Sequence, residues 1–189
     1  MAMEYPMFCY QCEQTSGGKG CTKIGVCGKT PEVANLQDLL IFQLKGISCY
    51  ANELIKKGEN VDKSTIAFIE DCLFTTLTNV NFDADNHVKL LRESQKIKDD
   101  LKKKVGKIKN DTAHVTYTLR ETKAEMLEDS KIAGIMYDQD LDPDIRSLRQ
   151  TIVFMDQGDS VMDVLYFSGE DMENNDGVQS ILHSVRWIG

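Results

Sequence analysis

The 189 residues are 41% hydrophobic and 28% charged, with a formal net charge of −8 and a pI near 4.9. That is enough apolar material for one or two packed cores, while the acidic balance argues against nucleic acid and anionic membrane surfaces as partners. No stretch approaches the roughly 18 apolar residues of a membrane helix, and Met1 to Met7 lack the basic and apolar regions of a secretory signal, so the expected location is cytoplasmic.

Residues 1–34 form a Cys/Gly-rich segment with Gly17, Gly18, Gly20, Gly25 and Gly28 and little apolar periodicity. Its cysteines are spaced Cys9-x2-Cys12-x8-Cys21-x5-Cys27. In a reducing compartment, clustered cysteines bind metal more often than they pair. A CxxC turn brings two sulfurs to one side, and two further thiolates complete the four that a cubane iron–sulfur cluster requires. Ser16-Gly17-Gly18-Lys19-Gly20 lets the chain pass close to a cluster, with bare N–H groups available to bond its sulfides. Lys19, Lys23 and Lys29 offer positive charge against a thiolate-ligated cluster, or are ordinary surface lysines. Structural zinc stays open as an alternative, although it favours two short knuckles of two to four residues. Disulfides would need an oxidising compartment.

Residues 35–142 read as a helical bundle. Leu36, Leu40, Leu44, Ile47, Ala51 and Leu54 step by three and four along one face, with Gly58 as a stop. Ser64 is expected to cap a second helix that turns Ile66, Ile69, Leu73, Leu77 and Val80 inward. A third helix fits residues 86–109, with Leu90, Ile97, Leu101, Val105 and Ile108 inward and Lys102 to Lys104 in solvent. Val115, Tyr117 and Leu119 alternate weakly, as in a short strand or a loop. Glu121 to Ile132 is helical again. Asp142-Pro143 opens a further helix through Ile145, Leu148, Ile152 and Val153. Leu36, Phe42 and Gly46 recur at Leu148, Phe154 and Gly158, an offset that two helical units of similar design would explain, as would chance. Residues 143–189 are therefore read as the start of a second helical unit with an acidic tail. From residue 156 onward seven acids face one base, Arg186.

Cys49 and Cys72 lie in helical patterns and are expected to be small buried apolar groups. His87, His114 and His183 share no ligand spacing and are expected at the surface or as caps. No P-loop, dinucleotide loop or nucleophile elbow is present.

The run Met7-Phe8-Cys9-Tyr10-Gln11-Cys12-Glu13-Gln14-Thr15, followed by Gly20-Cys21-Thr22-Lys23-Ile24-Gly25-Val26-Cys27-Gly28-Lys29, resembles the N-terminus of the hybrid-cluster proteins. These are also called prismane proteins or hydroxylamine reductases. Asn35-Leu36-Gln37-Asp38-Leu39-Leu40, Leu44-Lys45-Gly46, Thr78-Asn79-Val80-Asn81-Phe82-Asp83 and Asp144-Ile145-Arg146-Ser147-Leu148-Arg149 continue the resemblance to about residue 155. It implies a helical domain of two three-helix bundles, with a 4Fe–4S cluster on Cys9, Cys12, Cys21 and Cys27. It further implies α/β domains holding a hybrid iron–sulfur–oxygen cluster on histidine, glutamate and cysteine ligands, where hydroxylamine is reduced to ammonia with electrons from the first cluster. This chain ends at Gly189, before those domains, and after Phe154 the resemblance fades into Met155-Asp156-Gln157-Gly158-Asp159-Ser160. A fragment, a natural short form and a frame artefact all fit that ending.

The sequence thus predicts a mainly α, iron–sulfur electron-transfer domain that lacks a catalytic centre of its own. Its expected partners are an electron-donating redox protein and the missing α/β domains. The alternatives are a stand-alone one-electron carrier or redox sensor, a zinc-held interaction domain, and a nonfunctional truncation.

Overall fold

A computed structural model describes residues 5–12, 14–77, 79–109 and 112–133. The described chain is mainly helical, with α1 over Pro31–Lys56, α2 over Lys63–Thr76, α3 over Ala84–Val105, α4 over Ala113–Thr116 and α5 over Lys123–Ala133. The helix expected from Pro143, its echo of the first helix, and His183 lie outside the described residues.

Helix α1 begins where its sequence supplies every start signal. Thr30 is the N-cap, its hydroxyl accepting the Val33 N–H at 3.3 Å. Pro31 occupies the first turn, where it loses no hydrogen bond, and Glu32 complements the dipole there. The far end closes with the double bond of a Schellman turn. Gly58, at φ 78°, donates to Ile55 O at 2.8 Å, and Glu59 donates to Leu54 O at 3.1 Å.

Between those caps α1 is buried on almost every side, which marks it as the axis of the bundle. Leu36, Leu39, Leu40, Leu44, Ile47 and Leu54 are fully enclosed by α3, α5, α4 and α2. Burying each such side chain contributes about 1.5–3 kcal/mol. At Gly46 the packing is closest, because a Cβ there would collide with His114 O and lie 2.9 Å from Lys98 Nζ.

Helix α3 starts at Asp83, whose carboxylate accepts from the N–H groups of Asp85 (2.9 Å) and Asn86 (3.2 Å). Its buried stripe runs His87, Leu91, Ser94, Lys98, Leu101 and Val105. Leu90 and Ile97, expected at the centre, flank that stripe half-buried, and Lys102 to Lys104 stand in solvent as expected. Two expectations for α2 need correction. Its N-cap is Asp62 and Ser64 lies inside the helix. The helix also stops at Thr76, so Val80 is exposed after the left-handed Asn79, at φ 62°. Of residues 112–119, read as a short strand or a loop, 113–116 form the single turn α4 and 117–119 are loop. Helix α5 opens with a reciprocal capping box: Glu125 N–H bonds Thr122 Oγ1 at 3.2 Å, and Thr122 N–H bonds Glu125 Oε2 at 3.0 Å.

Candidate iron–sulfur site

The Cys/Gly segment folds back on itself and docks against the start of α1. Cys9 and Cys21 form an antiparallel bridge, exchanging backbone hydrogen bonds of 3.0 and 2.9 Å. Met7, Cys9, Cys21 and Ala34 bury together in a small apolar cluster apart from the main core. Asn35 anchors the segment. Its side-chain amide donates to Pro6 O at 2.9 Å and Pro31 O at 2.8 Å, and its Oδ1 accepts from Ser130 of α5 at 3.1 Å.

All six cysteines are free thiols. The structure joins Cys9 directly to Cys21 and leaves Cys12 and Cys27 half-buried in the same segment. Among the described residues, no three Cys, His, Asp or Glu side chains converge as ligands of one ion. Tetrahedral zinc would need such convergence, with four sulfurs about 2.3 Å from one centre. A cubane spreads its four thiolates over four irons, so its ligands stand further apart.

The surroundings of the sulfurs suit thiolates. Cys21 Sγ accepts the Ser16 N–H at 3.4 Å and lies 3.7 Å from the Thr15 hydroxyl. Burial raises the Cys21 thiol, but the backbone N–H groups of Ser16 and Val26, the Thr15 hydroxyl and Lys29 outweigh it and bring the thiol below its ordinary value. At Cys9 burial dominates and pushes the thiol up, with Lys29 and the Gln11 backbone N–H pulling the other way. The Ser16–Gly18 turn thus supplies, through Ser16, an N–H directed at the Cys21 sulfur. Four free thiols on one short segment, hydrogen-bond donors at Cys21 and a buried ammonium at Cys9 form a donor set that fits a thiolate-ligated iron–sulfur cluster.

Of the three lysines expected to supply charge, Lys19 and Lys23 are exposed, whereas Lys29 is 1% exposed. Its Nζ lies 3.9 Å from Cys9 Sγ and donates to Gln11 Oε1 at 2.8 Å. Nearby Asp38 keeps some surface exposure, yet burial of its carboxyl raises it to about 7 against the pull of Lys29 and Lys45. Gln11 and Thr15 were not singled out by the sequence. Their position inside and just after the CxxC turn was the available signal.

Cys49 and Cys72 are buried, as expected, and burial followed by Glu93 and Asp71 pushes the Cys72 thiol to about 12. His87 and His114 are buried rather than at the surface, which corrects the expectation. His87 Nδ1 meets Asp83 O at 2.8 Å and its Nε2 meets Gln37 Nε2 at 3.3 Å. His114 Nε2 lies 2.9 Å from Thr112 Oγ1 and 3.5 Å from Cys49 Sγ. Lys98 ends in the core, donating to His114 O at 2.6 Å, Tyr117 O at 2.8 Å and Gln43 Oε1 at 3.2 Å.

Comparison with known proteins matches residues 7–181 to the model of the Prismane/CO dehydrogenase family. A hydroxylamine reductase of Syntrophobacter fumaroxidans is 45% identical over 152 residues, covering 78% of this chain and 28% of the relative. One from Bacteroides fragilis is 42% identical over 146 residues, covering 77% and 26%. One from Halothermothrix orenii is 52% identical over 98 residues, covering 52% and 18%. The chain thus spans about a quarter of the length of the first two relatives.

Proposed function

Because this chain belongs to the Prismane/CO dehydrogenase family, we propose that Cys9, Cys12, Cys21 and Cys27 hold a 4Fe–4S cluster and that the domain carries single electrons. The observation behind this reading is the four-cysteine segment itself: four free thiols within nineteen residues, with the Ser16 N–H turned on Cys21, the Thr15 hydroxyl 3.7 Å from it and an ammonium near Cys9. When bound, such a cluster supplies one-electron transfer at a potential set by its hydrogen bonds, charge and burial. The chain's own residues define that setting. Ser16 and Thr15 stabilise the Cys21 thiolate, Met7 and Ala34 exclude water from the buried side, and α1 holds the segment in place.

In the whole protein, the domain would pass electrons from a cytoplasmic redox partner to a hydroxylamine-reducing centre in the α/β domains. Among the described residues no helix is long and apolar enough to cross a membrane. The test is metal and sulfide analysis of anaerobically purified chain. About four irons and four sulfides per chain are expected, with a broad charge-transfer absorption that bleaches under dithionite. Zinc as the sole metal overturns the reading.

A further inference from the structure

A lysine is normally exposed, and a buried one requires compensation for its lost hydration. Lys29 is 1% exposed, and its Nζ faces the neutral amide of Gln11 at 2.8 Å and the sulfur of Cys9 at 3.9 Å. Among the described residues its Nζ bonds no carboxylate, and Asp38 acts on it only through charge without a hydrogen bond or ion pair. The backbone makes room for this placement. A Cβ at Gly25 would stand 3.0 Å from both Lys29 Cβ and Cys27 Sγ, so the lysine stem and a second cysteine share the space that glycine leaves open. Lys19 and Lys23, of the same segment and charge, stay in solvent, where water and salt screen them.

We propose that Lys29 is the built-in counter-charge of the iron–sulfur cluster, a positioning residue whose buried ammonium beside Cys9 stabilises the added negative charge of the reduced state and so raises the midpoint potential.

This inference rests on the cluster assignment above. Four thiolates on a cubane leave the ligated unit anionic, and reduction adds one electron from an external one-electron donor with no bond made or broken. A fixed positive charge in a low-dielectric site therefore favours the reduced form over the oxidised one. The same charge in solvent would be screened, which is why Lys29 and not Lys19 or Lys23 carries the effect.

The experiment is an anaerobic dithionite titration of the full 189-residue chain, followed by EPR and visible absorption, with iron content and helical circular dichroism measured on each sample. Lys29→Met and Lys29→Gln are expected to keep the helices and to lower the equilibrium constant for reduction at least tenfold, a shift of about 59 mV to more negative potential. Lys29→Arg, which keeps the charge, is expected to shift it less, and Lys23→Met is expected to leave it in place. Loss of iron from both neutral variants with retention in Lys29→Arg supports the same charge pairing. Neutral variants that keep their iron at unchanged potential overturn the proposal while leaving the cluster assignment intact. An Arg variant shifted as far as the Met variant, or iron lost from all three Lys29 variants, overturns it equally by making Lys29 a packing residue. Wild-type chain without an iron–sulfur cluster overturns the cluster assignment and this inference together.

Discussion

Cys49 and Cys72 share burial with Cys9 and Cys21 but not their surroundings. The first pair sits within helices of the main core, with Cys49 Sγ 3.5 Å from His114 Nε2, away from the Ser16–Gly18 turn that directs an N–H at Cys21. Serine at Cys9, Cys12, Cys21 or Cys27 is therefore expected to abolish or degrade the cluster, whereas serine at Cys49 or Cys72 leaves iron content intact. Iron analysis with circular dichroism decides this, and iron lost from a well-folded Cys49 or Cys72 variant would show the ligands misassigned. A second residue-scale effect belongs to His114. Burial, then Lys45 and Lys98, lowers its imidazole from 6.5 to about 4. Between those values the unfolded chain holds the extra proton and the native one does not. Stability from this group is full above about pH 6.5 and falls as pH drops toward 4. The loss between pH 7 and pH 5 is expected to be about 2 kcal/mol, read by urea unfolding. His114→Gln should lose less over that interval by this amount, and an equal loss in both proteins refutes the assignment.

Two glycines, one inside α1 and one at its C-terminal turn, separate backbone strain from steric contact. At Gly58 nothing lies within 4 Å of where a methyl would stand, so alanine there costs only its left-handed φ of 78°, about 1 kcal/mol. At Gly46 a methyl meets a carbonyl and the buried Lys98 head, and alanine is expected to destabilise by about 3 kcal/mol or more through displacement of α4. Thermal unfolding of the two variants should separate them clearly, and a Gly46→Ala as mild as Gly58→Ala would contradict the close approach. The helices themselves were legible because apolar residues repeat at helical spacing from Leu36 to Leu54 and from Leu90 to Val105, although Leu91 rather than Leu90 is the buried one. What misled was polar chemistry. Asp62 and Ser64 are both competent caps. The structure starts the helix after Asp62, whose carbonyl receives the Thr65 N–H at 2.9 Å while its carboxylate pairs with Lys104 at 2.8 Å. His87, Ser94 and Lys98 lie on the buried face of α3, yet a periodicity count assigns such residues to solvent. Partners on α1 and α4 reveal His87 and Lys98, while Ser94 bonds back to Leu91 O within α3.

At the scale of the molecule, the chain is expected not to reduce hydroxylamine by itself. Cleaving the N–O bond needs a metal with an open coordination position, and a cubane ligated by four thiolates offers none. Among the described residues no group of three Cys, His, Asp or Glu side chains converges on one ion to offer such a position. An anaerobic assay with reduced viologen and hydroxylamine checks this, with Cys9→Ser as background, and robust cluster-dependent ammonia formation would refute it. That Cys9, Cys12, Cys21 and Cys27 fall on one short segment was legible from spacing. The selection of Lys29 over Lys19 and Lys23 was not, because it depends on how the segment closes against α1. That closure has an order in time. Asn35 ties the cysteine segment to α1 at once, but its third partner, Ser130, is 95 residues further along the chain. At about 5–20 residues per second of synthesis, the ribosome takes about 5–20 s to reach it. For that interval the four thiols are already made while α5, and with it the Ser130 bond to Asn35, is still missing.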